Sequence, residues 1–124
     1  MAHQQFASCI EACDQCAADC NHCATACLQE PDVKMMARCI ALDIDCAAIC
    51  QLASAAMSRG SEQAHAICAL CAEICDACGD ECEKHQADHC KACAQSCRRC
   101  ADECRRMSGQ ANAATSRGAT AHSH

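Results

Sequence analysis

The sequence predicts an all-α fold, an antiparallel up-down four-helix bundle with a cysteine-lined core. Three observations predict it. Cysteines recur at steps of three and four residues along three long segments. Those segments and a fourth are separated by short breaks that carry Pro31, Gly60 or a polar turn. No period-two alternation is present and β-branched residues are scarce, so there is no strand signal. Short connections between helices of similar length favour antiparallel neighbours.

The first helix is expected over about 4–29, ended by Glu30-Pro31-Asp32, because proline disfavours helix in the residue before it. The second is expected over about 32–58 and is broken at Arg59-Gly60-Ser61. The third runs from Ser61, a good N-cap followed by acidic Glu62, to about His85. Gly79 inside it costs about 1 kcal/mol relative to alanine. Gln86-Ala87-Asp88 is a short turn, and the fourth helix extends from about Asp88 to Met107. Residues 1–108 therefore read as one cysteine-rich domain, and 109–124, rich in Gly, Ala, Ser and Thr, as a flexible tail.

Composition says what the core is not. There is one Phe and no Tyr or Trp, and the 52% hydrophobic content is inflated by alanine and by 19 cysteines. Aliphatic packing alone cannot fill the middle. A net charge of −6 argues against nucleic acid and against an anionic membrane surface. The start, Met1-Ala2-His3-Gln4-Gln5, is polar with no apolar run of leader length after it. A cytoplasmic location with reduced thiols is expected, and no segment is expected to cross a membrane. The odd cysteine count also fits poorly with a fully paired disulfide framework.

The candidate site is the cysteine pattern. Helix one carries Cys9, Cys13, Cys16, Cys20, Cys23 and Cys27; helix two carries Cys39, Cys46 and Cys50. Helix three carries Cys68, Cys71, Cys75, Cys78 and Cys82, and helix four Cys90, Cys93, Cys97, Cys100 and Cys104. At about 100° per residue the cysteines of helices one, three and four each fall in a fan of roughly 80°. That stripe is where a bundle normally puts its apolar seam.

Three readings compete for such a seam. A buried cysteine can be a small hydrophobe, but a core of small thiols packs worse than leucine, and 19 of them lie on seam positions. Disulfides need Cβ atoms about 3.5–4.5 Å apart, closer than the 5–6 Å or so of helical i,i+3 and i,i+4 neighbours. Metal suits the spacing, since a linear sulfur–metal–sulfur unit spans roughly 4.5 Å. Soft thiolates select Cu(I), zinc or iron–sulfur clusters. Zinc takes four thiolates and leaves clusters negative, which is expensive to bury. Cu(I) tolerates two or three. With bridging thiolates the ratio approaches one Cu(I) per cysteine and the filling is neutral. The alternatives are a zinc- or cadmium-sequestering protein similar in role to metallothionein, and a disulfide-stapled helical interaction module.

Departures from the stripe supply auxiliary candidates. Asp43 sits in the seam between Cys39 and Cys46, as an edge carboxylate or as an oxygen ligand or acceptor for a thiol proton. Met35 and Met57 extend the stripe of helix two at its ends, as gap-fillers or thioether ligands. His85 and His89 flank the turn between helices three and four, near Met35, Met36 and Cys27 at one end of the bundle. That end reads as the copper entrance. His22, His3, His122 and His124 are expected at the surface, and His65 at the opposite end with Met57 and Met107. Ile67, Leu70, Ile74, Ile40 and Ile44 form second stripes suited to helix packing or to a subunit interface. No Ser-His-Asp or paired-carboxylate constellation is evident, so no enzyme is expected.

The residues resemble a known family. Over about 5–107 the chain is similar to the bacterial cytosolic copper storage proteins. The resemblance rests on the stripes, on Met36-Ala37-Arg38-Cys39-Ile40-Ala41-Leu42-Asp43-Ile44-Asp45-Cys46-Ala47-Ala48-Ile49-Cys50 and on Cys71-Ala72-Glu73-Ile74-Cys75-Asp76-Ala77-Cys78. His89-Cys90 and Cys97-Arg98-Arg99-Cys100 add to it. It implies a homotetramer, Cu(I) stored inside each bundle for copper homeostasis, and no catalysis. The expected partners are copper ions and further copies of the chain, with a copper chaperone as candidate donor.

Overall fold

The computed structural model describes residues 5–116, with side chains through 109. Four helices follow one another: α1 (Ala7–Leu28), α2 (Ala37–Arg59), α3 (Ala64–Cys82) and α4 (Asp88–Ser116), with a 3-10 turn at Val33–Met36 before α2. Each helix presents its cysteine stripe inward, and burial of the four stripes against one another assembles the bundle. α1 packs on α2 and α4, and α3 packs on α2 and α4. The diagonal pairs make no close backbone approach among the described residues. The result is an antiparallel four-walled bundle around a central file, as the periodicity predicts.

The seams between walls are closed by alanine. Ala12, Ala17, Ala47, Ala53, Ala72 and Ala101 are all buried. Small side chains let helix axes come near the short end of the usual 8–10 Å or so, which suits a chain with one aromatic residue. Ile40, Ile67 and Ile74 are half-buried and pack onto this core, whereas Ile44, Leu52 and Leu70 are exposed. The second stripes therefore split between helix packing and an outer apolar face on α2 and α3.

Several boundaries differ from the sequence expectation. α2 does not start at Asp32, because the chain first tightens into the 3-10 turn, with the Met35 N–H bonded to the Asp32 carbonyl. α3 starts at Ala64 rather than Ser61; the Ser61 hydroxyl accepts from the Gln63 N–H at 3.0 Å, closing a turn ahead of the helix. α3 also ends at Cys82, short of His85. α2 stops as expected. Gly60 adopts φ 66°, the Ser61 N–H reaches the Ala56 carbonyl, and the Gly60 N–H reaches that of Met57. This paired closure calls for a left-handed residue, which glycine supplies without strain.

α4 continues past Met107 to Ser116. Gln110, Ala111, Ala113 and Ala114 are good helix formers, and they carry the helix beyond the cysteine stripe. The remainder of the expected tail, 117–124, lies outside the described residues, as do His3, His122 and His124. The segment Val33–Arg59 is, contrary to expectation, long and apolar enough to cross a membrane by length and composition. Here it forms one wall of the bundle, with Asp43 and three cysteines turned inward.

Gly79 has a packing role. A Cβ there would stand 3.2 Å from the Arg98 guanidinium carbon. Arg98 of α4 lies across this gap and meets Asp80 at 2.6 Å and Glu83 at 3.0 Å on and just beyond α3. Arg105 adds Asp76 at 2.6 Å, and Arg99 reaches Glu11 of α1 at 3.1 Å. These exposed pairs contribute little singly, but they all tie α4 to its two neighbours.

Candidate metal centre

All 19 cysteines are free and buried. Eighteen have no exposed surface and Cys9 has 1%. The stripes thus become a closed file of sulfur. Within a helix the close pairs are four residues apart, such as Cys16–Cys20 at 3.9 Å and Cys71–Cys75 at 3.8 Å. Across helices the sulfurs come closer still: Cys20–Cys93, Cys39–Cys82 and Cys46–Cys75 are each 3.6 Å apart. Cys50–Cys100, at 3.7 Å, crosses the lumen between the diagonal helices α2 and α4. These are van der Waals contacts, well beyond a disulfide bond of about 2 Å. The sequence pointed to clamps within one helix, and the cross-helix contacts, invisible to periodicity, are the tighter set.

The sulfurs gather in overlapping fours. Cys13, Cys71, Cys100 and Cys104 form one group whose sulfurs all lie within 4.8 Å of one another. Cys16, Cys46, Cys50 and Cys75 form the next, and Cys20, Cys78, Cys93 and Cys97 another. Cys23, Cys27, Cys39 and Cys90 form a group at the end bearing the α3–α4 turn. A metal holding three thiolates at about 2.3 Å separates them by roughly 4 Å, close to the spacing already present. The file can accept metal with small rotamer changes and no helix movement. Cys16, Cys20, Cys46 and Cys97 form a further group that shares members with two of these, so a sulfur can bridge.

Electrostatics split the empty file: burial raises some thiols at its turn end, while hydrogen bonds from neighbouring thiols, Cys39 first, lower Cys23 to about 5. The Cys27 and Cys90 thiols are held above their ordinary range, first by burial and then by the neighbouring Cys23 sulfur. A thiol that stays protonated needs no counter-charge inside the bundle. Each metal ion bound must then displace protons.

Asp43 is not a carboxylate at the edge of the bundle. It is fully buried in the lumen. Its Oδ1 accepts from the thiols of Cys78 at 3.2 Å, Cys93 at 3.3 Å and Cys82 at 3.7 Å, and its Oδ2 accepts from Cys39 at 3.8 Å. Burial, followed by repulsion from Cys93 and Cys78, pushes its pKa up to about 12. At neutral pH it is a carboxylic acid among thiols, a proton store inside the file.

The two histidines of the turn end separate in role. His89 turns its Nδ1 inward, 3.6 Å from Cys23, 3.6 Å from Cys90 and 3.8 Å from Cys27, while its Nε2 lies 2.8 Å from Glu30. Burial disfavours its charged form, but the bonds to Cys23 and Glu30 outweigh this and hold its pKa above the ordinary value. His85 pairs instead with Glu81 at 3.0 Å, and no thiol lies within hydrogen-bonding reach of it among the described residues. Glu81 is buried and also binds Arg38 and Lys84. In this structure Glu81 holds the His85 ring away from the sulfur file. The Glu81–His85 pair was readable from its i,i+4 spacing, whereas Glu30–His89 needed the fold.

Met35 lies at the surface. It is 68% exposed, because the 3-10 turn rotates it outward and buries Met36 in its place. Met57 is fully buried at the far end. There Phe6, Ala64 and Met107 are buried in the same core, and the Phe6 and His65 rings meet at 5.7 Å. The His65 Nδ1–H donates to the Met107 carbonyl at 2.7 Å. Carbon and thioether thus plug that end. His22 is exposed, as expected.

The chain is similar to proteins already known. A family model described as copper storage protein matches residues 2–109. The structure of a Cu(I)-bound copper storage protein, BsCsp3, is 50% identical, with a TM-score of 0.80 over 87% of this chain and 99% of that one. A cytosolic copper storage protein from Streptomyces lividans, with five coppers, is 39% identical, with a TM-score of 0.83 over 87% and 95%. Among curated proteins, the cysteine-rich protein YhjQ of Bacillus subtilis is 52% identical over 71 residues, which are 57% of this chain. The match spans 66% of that relative's length, just under two thirds.

Proposed function

The chain belongs to the copper storage protein family, and on that premise we propose that it stores and sequesters many Cu(I) ions in the sulfur file of each bundle. The observation that carries this is the buried, overlapping set of four-sulfur groups. Nineteen thiolates bridging a similar number of Cu(I) ions make a neutral filling, and only a neutral filling can occupy a closed lumen at tolerable cost. Zinc or cadmium at four thiolates per ion would leave the same lumen strongly negative. No catalytic step belongs to this reading, and the protein acts in copper homeostasis in the cytoplasm.

All 19 cysteines are the proposed ligands, with Asp43 as the proton-holding acceptor between them. Copper enters beside His89, because the opposite end is plugged by Phe6, Met57 and Met107. Each ion displaces thiol protons and moves inward by exchange between thiolates that are already 3.6–4.0 Å apart. The exposed Ile44, Leu52 and Leu70 on α2 and α3 suit burial against further copies of the chain, and we assign the homotetramer to this face. A copper chaperone is the fitting donor.

The test is an anaerobic Cu(I) titration of reduced protein against a chromophoric chelator, with thiols counted on the same sample. Uptake approaching one ion per thiol is expected. Saturation at four or five ions, or thiols already oxidised, would remove storage and favour the zinc or disulfide alternatives.

A further inference from the structure

His89 is the histidine that meets the sulfur file, and it is gripped from behind. Glu30 lies between α1 and the Pro31 turn, on a different segment from His89 at the start of α4. Its Oε2 stands 2.8 Å from the His89 Nε2, while the His89 Nδ1 faces Cys23, Cys27 and Cys90. The pair is half-shielded: the side chains are 14% and 34% exposed.

An ionised carboxylate has no proton to give, so the Nε2 of His89 must carry the hydrogen in this contact. In the neutral ring the lone pair then resides on Nδ1, the nitrogen that faces the thiols. The distances suit a shared metal ion. Bonds of about 2.0 Å to nitrogen and 2.3 Å to sulfur, at a trigonal angle, put the two donors roughly 3.7 Å apart. The observed separations are 3.6 Å to Cys23 and Cys90 and 3.8 Å to Cys27.

We propose that Glu30 is a positioning residue for copper entry: it fixes the ring orientation and the tautomer of His89, so that the Nδ1 lone pair receives an incoming Cu(I) ion beside Cys23, Cys27 and Cys90. Without Glu30 the free imidazole divides between tautomers and rotates, and the arriving ion meets three buried thiols with no preformed nitrogen donor. His85 is engaged by Glu81 instead. Glu30 does not touch the file itself, so the number of ions bound at equilibrium does not depend on it.

This inference rests on the storage reading for its kinetic part and not for its spectroscopic part. The test uses the full reduced chain, ¹⁵N-labelled, at a pH where His89 is neutral. Long-range ¹H–¹⁵N correlation should show the Nε2–H form of His89 in the native apo protein and a mixed population in Glu30→Ala. Glu30→Gln, which keeps an acceptor oxygen, should restore most of the Nε2–H form. Stopped-flow uptake from a Cu(I)–chelator complex should slow about tenfold in Glu30→Ala, with unchanged final copper content. Glu30→Ala combined with His89→Ala should be no slower than His89→Ala alone. A native tautomer in Glu30→Ala, or a further slowing in the double variant, would overturn the proposal. Failure of native protein to take up copper at all would instead overturn the storage reading, leaving the tautomer result to stand by itself.

Discussion

The carboxyl of Asp43 on α2 accepts a hydrogen bond from the thiol of Cys93 on α4 at 3.3 Å, across the lumen between two helices whose backbones do not touch. It is the one buried acid in a file otherwise made of sulfur. Its folded pKa, pushed up to about 12 chiefly by burial, lies far above its unfolded value of 3.8. A group raised on folding contributes most below its unfolded pKa. As pH climbs from about 4 the unfolded chain ionises and the folded chain does not, so stability declines steadily towards the folded pKa. Asp43→Asn keeps the shape and an acceptor oxygen while removing the titration. The apo variant should match the native protein near pH 4 and exceed its Tm by roughly 5 °C or more at pH 8. Thermal melts across that range decide it, and parallel pH profiles for the two proteins would refute the assignment.

Sharing of sulfurs predicts unequal losses. The Cys50 sulfur lies within 3.7–4.0 Å of Cys46, Cys71, Cys75 and Cys100, whereas that of Cys9 meets Cys104 at 3.6 Å at the end of the file. A thiolate in the middle bridges and one at the end terminates. Cys50→Ala should lose about two Cu(I) ions and Cys9→Ala about one or fewer, given soft thiolate ligation. Anaerobic titration of both variants checks this. Equal losses would mean that each cysteine holds its own ion.

The cysteine stripes, the four helices and the choice of metal were legible in the sequence because periodicity places side chains on a face, and charge balance then restricts what a closed core can hold. What periodicity cannot give is rotation at helix ends and meetings between helices. Met35 looked like a continuation of the stripe, yet one 3-10 turn exposes it and buries Met36. His85 and His89 looked equivalent around their turn, yet only His89 faces sulfur, because each is held by a different carboxylate. Asp43 could be placed on the seam, but its four thiol partners come from two other helices and one turn of its own.

Gly79 offers a stabilising change. Its helical position costs about 1 kcal/mol relative to alanine. A new Cβ would press on the Arg98 guanidinium at 3.2 Å, which is the free end of a long side chain, 38% exposed and able to shift a few tenths of an ångström. Gly79→Ala should therefore raise Tm by a few degrees and leave copper content unchanged. A fall in Tm would show that the Arg98 contacts to Asp76, Asp80 and Glu83 hold α4 more firmly than exposed ion pairs normally do.

The plugged end makes a prediction that needs no copper. Phe6, Met57, Ala64 and Met107 seal the file beyond Cys9, Cys68 and Cys104, while the other end is closed by Met36 together with polar side chains around His89. Alkylation of the reduced apo protein by iodoacetamide, read residue by residue by mass spectrometry, should therefore begin in the end group of Cys23, Cys27 and Cys90 and reach Cys9 and Cys68 late. Phe6→Ala removes the largest carbon group of the plug and should destabilise the apo protein by about 3 kcal/mol, the low end for buried aromatic truncation, since the site lies near a chain end. The same variant should bring Cys9 and Cys68 forward in the order of modification without changing the rates at Cys27 and Cys90. That selectivity separates a local opening of the plug from global unfolding, which would accelerate all 19 cysteines together. Early modification of Cys9 in the native protein would mean that the file is open at both ends and that copper has two ways in.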